Sequence, residues 1–80
     1  MVIIMEKLIA ILQGLQPGVD YASCRDLIDG RYLDSLTILA LVAELEEEFD
    51  VTVPTVEIVP ANFNSADAIW AMIERLQEEG

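Results

Sequence analysis

The chain of 80 residues holds three serines, Ser23, Ser35 and Ser65, one cysteine, Cys24, and no histidine. Without histidine, the usual proton shuttle at neutral pH and the commonest metal ligand are both missing. One cysteine can form neither an internal disulfide nor a cysteine zinc site. A nucleophilic serine needs a base, and the base needs a third group to orient it. Asp34 adjoins Ser35, but no such third group and no oxyanion site accompany them. The residues therefore describe no enzyme in its own right and no catalytic residue. Asp26, Asp29 and Gly30 do not follow the calcium-loop spacing, so no metal site is expected.

A serine can also be a point of attachment. Ser35 stands where a long loop meets the start of a predicted helix. Free backbone N–H groups and the positive end of the helix dipole favour a phosphate there. Position alone favours the plainer reading of Ser35 as an N-cap. Ser65 is explained as a helix cap, and Ser23 has no special neighbour.

The elements that position Ser35 are helical. Ile4, Leu8, Ile11, Leu12 and Leu15 recur at the spacing of one helix face, which Gly14 and then Pro17-Gly18 end. Residues 16–33 form a long connection, pinned to the core by Leu27 and Ile28; loops of this length are often functional. A second helix is predicted over Ser35 to Phe49, with Asp34 or Ser35 as its cap and Ile38, Leu41, Val42, Leu45 and Phe49 as its buried stripe. Glu44, Glu46, Glu47, Glu48 and Asp50 crowd its C-terminal half, where the helix dipole prefers cations. Val51-Thr52-Val53-Pro54 stops it. Pro60 opens a short helical turn ending near Phe63. The last helix follows Ser65, with Ile69, Met72, Ile73 and Leu76 facing inward. No segment alternates at strand period. The fold class is all-α: a small acidic bundle of three main helices plus one short one.

Composition narrows the partners. Lys and Arg number 4 against 15 Asp and Glu, a net charge of −11. That charge repels phosphate backbones, so no nucleic acid partner is expected, and basic protein surfaces suit it instead. The 54% apolar content is enough for a single globular domain over residues 1–80, read here as a monomer. Residues 1–4 read as a frayed extension ahead of Met5. Charges interrupt every apolar stretch short of the roughly 18–20 residues of a membrane span. The N-terminus lacks a basic n-region and a cleavage site. These features imply a cytoplasmic chain with Cys24 a free, half-buried loop thiol. Trp70 falls off the main stripe of the last helix, at the border of the bundle, and is given no function.

The run Leu33-Asp34-Ser35-Leu36, followed by Leu41, Val42, Leu45, Glu46-Glu47-Glu48-Phe49-Asp50 and Val53-Pro54, resembles the acyl carrier protein family. The resemblance covers Met5 to Gln77 and is most specific over Leu33 to Pro54. The stretch Asn62-Phe63-Asn64-Ser65-Ala66-Asp67-Ala68-Ile69 is also similar to the start of that family's last helix. The resemblance implies a freestanding carrier. Its Ser35 would bear 4′-phosphopantetheine, transferred from coenzyme A by a phosphopantetheinyl transferase, and Asp34 and Leu36 would flank that site. The arm's thiol would hold an acyl or aminoacyl group as a thioester, loaded by a ligase and passed to downstream enzymes with basic patches. Leu39, Ala43, Glu46 and Glu47 would form the partner face. Taken alone, Leu36 and Leu39 fit core filling as well, and the acidic run fits a solvated helix end.

Fatty-acid carriers usually have acidic residues two and five positions after the serine. Thr37 and Ala40 stand there in this chain, and Gly30-Arg31-Tyr32-Leu33 departs from the usual approach to the motif. A neutral first turn with Leu before Asp-Ser is closer to the D-alanyl carrier proteins, so a D-alanyl or other aminoacyl or peptidyl cargo is the alternative. An acidic helical adaptor, binding a basic protein without covalent modification, is the alternative of another class.

Overall fold

A computed structural model describes the backbone of residues 2–79 and the side chains of residues 5–78. Met1 lies outside the described residues, as do the side chains of residues 2–4, Ile4 among them. Four helices follow in order: α1 (Val2–Leu15), α2 (Ser35–Phe49), α3 (Pro60–Phe63) and α4 (Ala66–Glu79). A 3₁₀ turn, Thr55–Glu57, precedes α3. No strand occurs among the described residues. The all-α expectation holds, with three long helices and one short one.

α1 packs on both α2 and α4, and α3 packs on α4. Their apolar faces meet in one core, where Leu8, Leu12, Leu41, Leu45, Phe63, Ile69, Met72 and Ile73 are sealed from solvent. Burial of each such side chain stabilises the fold by about 1.5–3 kcal/mol before chain entropy is counted. The stripe expected on α2 is narrower in the structure. Leu41, Val42 and Leu45 are buried, but Ile38 and Phe49 are only half-buried. Ile38 faces the connection and the segment after the 3₁₀ turn, which leave a groove there. Phe49 lies at the bundle edge, where its ring meets Trp70 edge-on, centroids 5.8 Å apart.

Several helix ends have a chemical cause. Ser65 Oγ accepts the Ala68 N–H at 3.0 Å, which caps α4. Pro60 occupies the first turn of α3, where its missing N–H costs nothing. Asp50 closes α2 in a left-handed conformation. Two contacts at this end offset part of the unfavourable dipole. Lys7 on α1 pairs with Glu48 at 2.6 Å, and Gln77 on α4 donates to the Phe49 carbonyl at 3.3 Å.

The long connection is anchored rather than free. Val19, Tyr21, Leu27 and Leu33 are buried. Asn64, between α3 and α4, holds its middle. The Asn64 side-chain oxygen accepts the N–H groups of Ile28 and Asp29 at 3.0 and 3.1 Å, and its backbone carbonyl accepts that of Leu27 at 2.9 Å. At Gly30 the chain turns so tightly that a Cβ would come within 2.7 Å of the Asp26 carbonyl oxygen. The loop therefore delivers Ser35 from a fixed base.

Candidate functional site

Asp34 and Ser35 both qualified as the cap of α2, and the structure separates them. Asp34 is the N-cap, its Oδ1 accepting the Thr37 N–H at 2.8 Å. That hydrogen bond, first among the causes, holds the Asp34 carboxyl below its ordinary range. Ser35 is the first helical residue. Its hydroxyl is exposed and makes no hydrogen bond among the described residues. The hydroxyl is thus left available for chemistry, at a helix end that suits a phosphate.

Beside Ser35 runs a shallow groove of about 420 Å³, lined by Ile28, Leu33, Asp34, Ser35, Ile38, Leu39 and Ile58. Its walls are apolar except at the Asp34-Ser35 end. Farther along, Ile28, Ile38 and Ile58 meet Val59, Pro60 and Phe63 around a tighter space of about 80 Å³. The groove exists because three elements meet there without closing: the start of α2, the loop at Ile28, and the segment after the 3₁₀ turn. That turn is held from behind. Arg75 on α4 grips Glu57 in a two-pronged ion pair at 2.8 and 3.0 Å. Asn62 donates to the Glu57 carbonyl at 2.7 Å and to its carboxylate at 3.1 Å. The Arg75 guanidinium is the main reason the Glu57 carboxyl lies below its ordinary range.

The other residues singled out in the sequence divide among several places. Leu39 is 59% exposed and lines the groove. Leu36, 77% exposed, lies outside it and shares the outer face of α2 with Ala40, Ala43 and Glu47. Glu46 is half-buried, and its carboxylate accepts the Val53 N–H at 2.8 Å. It ties the end of α2 to the segment that follows. Glu47 is exposed with no partner among the described residues. Cys24 is half-buried and donates to Asp26 at 3.2 Å.

Sequence reasoning gave no role to Asn64, Arg75, Glu57 or Ile58 in shaping this site, and read Ile28 only as pinning the connection to the core. Asn64 had a readable signal, an amide immediately before a helix cap. The Arg75–Glu57 pair had none, since 18 residues separate its members. Among the described residues, no helix is long and apolar enough to cross a membrane.

An exposed, uncommitted serine beside an apolar groove fits covalent attachment of a phosphate-linked arm. Comparison with known proteins agrees. Residues 32–73 match the family described as "Phosphopantetheine attachment site". The chain is 40% identical over 52 residues to the D-alanyl carrier protein of Streptococcus mutans serotype c, an alignment spanning 65% of this chain and 66% of that protein. It is 27% identical over 77 residues to the D-alanyl carrier protein of Lactobacillus delbrueckii subsp. bulgaricus, spanning 94% of this chain and 96% of that protein.

Proposed function

Since the chain belongs to the phosphopantetheine attachment family, we propose that Ser35 is the residue that bears the arm. The observation that carries this is the division of labour at α2: Asp34 takes the cap, so the Ser35 hydroxyl remains exposed and unbonded. As a member of that family the protein is a carrier with covalently bound 4′-phosphopantetheine. When attached, the arm supplies a thiol that holds an acyl or aminoacyl group as a thioester. The chain's own residues do the rest. α2 presents the hydroxyl at its N-terminus, the groove from Leu33 to Ile58 offers an apolar bed, and the Asn64 clamp keeps the approach to Asp34 in place. Family membership favours this reading over the acidic adaptor, which has no use for Ser35.

Carrier proteins work with transferases and ligases and are generally not catalytic. For this chain we infer that it does no chemistry of its own and meets its partners as a monomer in the cytoplasm, where a thiol stays reduced. Leu36, Leu39, Ala43 and Glu47 offer those partners an apolar contact with one outlying charge. The chain's −11 net charge draws basic patches toward it.

For cargo, a small aminoacyl group such as D-alanine is the better supported choice. The relatives named above are D-alanyl carriers.

Intact mass tests the attachment. Purified protein is incubated with coenzyme A, magnesium and a broad-specificity phosphopantetheinyl transferase, beside Ser35→Ala. A gain of one phosphopantetheine on the wild type alone is expected. No gain on folded protein, with a known carrier modified in the same tube, would overturn the reading.

A further inference from the structure

The chain has four cations for fifteen carboxylates, and three of the four are ion-paired. Lys7 meets Glu48 at 2.6 Å, Arg25 meets Asp67 at 3.0 Å, and Arg75 meets Glu57 at 2.8 Å. Among the described residues, Arg31 alone has no carboxylate within ion-pair distance. Arg31 is exposed, so its guanidinium is open to an anion brought to this surface. The acids around it in sequence are engaged elsewhere. Asp26 accepts from Cys24, Asp29 from Asn64, and Asp34 from Thr37.

Arg31 is also held in a costly place. Its φ is 63°, in the left-handed region that disfavours any residue with a Cβ. A glycine is only one residue away, at position 30, yet the arginine takes the strained position. The turn around it is bonded throughout. The Arg31 N–H donates to the Ile28 carbonyl at 3.0 Å, that of Gly30 to Asp26 at 2.6 Å, and that of Tyr32 to Leu27 at 2.9 Å. Bends at Tyr32 and Leu33 then lead to Asp34 and Ser35. Ser35 lies four positions after Arg31, at most about 14 Å away along the backbone even if the chain were straight.

We propose that Arg31 is the counter-charge for the phosphodiester that Ser35 bears once modified. The inference rests on Ser35 being the attachment residue. Modification puts a phosphodiester anion next to Asp34, itself an anion at neutral pH. Two like charges on adjacent residues repel, and a cation four residues away offsets them. A planar guanidinium matches phosphate oxygens better than a point charge does. Arg31 makes and breaks no bond; it is a positioning residue, holding the first link of the arm near the start of α2.

The test uses wild type, Arg31→Gly and Arg31→Lys, each carried from the apo to the modified form and checked by intact mass. Glycine suits the left-handed backbone, so Arg31→Gly keeps the fold. Two readouts follow: the phosphorus NMR position of the phosphodiester, and the change in thermal midpoint on modification. In wild type, raising salt should move the phosphorus signal toward the position seen in Arg31→Gly, whose own signal is insensitive to salt. Arg31→Lys should fall between them. The change in midpoint on modification should be less favourable in Arg31→Gly than in wild type by about 1–5 °C. Full modification of all three, with identical phosphorus positions and midpoint changes, would overturn the inference and leave attachment at Ser35 standing. No mass gain in wild type, with a known carrier modified alongside, would overturn both. A slower transfer to Arg31→Gly with an unchanged phosphorus signal would also overturn it, assigning Arg31 to the transferase encounter instead.

Discussion

The Glu46 carboxylate accepts the backbone N–H of Val53 at 2.8 Å, which fastens the last turn of α2 to the segment leading into the 3₁₀ turn. Its neighbour Glu47 has no such bond among the described residues. Two adjacent acids that look interchangeable in the sequence therefore have different duties.

Glu46→Ala should destabilise the fold by about 1–2 kcal/mol, because a partly buried N–H loses its acceptor. Glu47→Ala should leave stability within about 0.5 kcal/mol of wild type. If Glu47 contacts basic partners, its removal should slow association with the loading ligase and weaken the salt dependence of that rate. Urea melts and stopped-flow association at two salt concentrations check both halves.

Ser35→Ala should abolish modification while leaving the thermal midpoint close to wild type, since the hydroxyl bonds nothing. Asp34→Ala should instead lower the midpoint by roughly 4–8 °C, the effect of losing a helix cap in a domain of this size. The contrast between the two variants separates attachment from capping, by intact mass and calorimetry on the same samples.

Asn64→Ala removes the acceptor for Ile28 and Asp29 and the donor to Asp29 while leaving the backbone bond to Leu27. A loss of about 2–3 kcal/mol is expected. Amide exchange should rise at Ile28 and Asp29, and modification of Ser35 should slow, because the loop that presents it has come loose.

Acid should weaken the fold through two identified groups. Asp34 and Glu57 are held below ordinary values of 3.8 and 4.5, by the Thr37 N–H and by Arg75 respectively. Both bind protons more tightly in the unfolded chain. Their stabilisation is full above those values and fades as the pH falls through the lowered folded ones. Asp34→Asn and Glu57→Gln should each be less stable than wild type at pH 7, and the gap should close below about pH 4. Thermal melts across that range check it.

Much of this was legible in the residues themselves. The bounds of α2 and α3 could be read because Asp34 is a good cap and Pro60 suits a first turn. The inward residues of α4 followed from their period. The groove could not be read. It depends on Ile28, Ile38 and Ile58, which lie far apart in sequence, and Ile38 looks like core on spacing alone. The 3₁₀ turn at Thr55–Glu57 is too short for any period to show, and its hold on Arg75 is a contact that only the folded chain makes. Arg31 stood out as a departure from a familiar pattern, but its significance lies in being left unpaired.

Trp70 is the one tryptophan in the chain, and its ring meets Phe49 at 61° with centroids 5.8 Å apart. Phe49 closes a 15-residue helix that Ser35 opens, so the ring pair lies about 20 Å from the attachment point. The protein thus contains its own optical gauge. Indole fluorescence reports whether the far end of α2 stays seated on α4, and it is blind to small adjustments around Ser35. A change in emission when the arm is loaded would mean that the modification is felt at the far end of α2 as well as at its start.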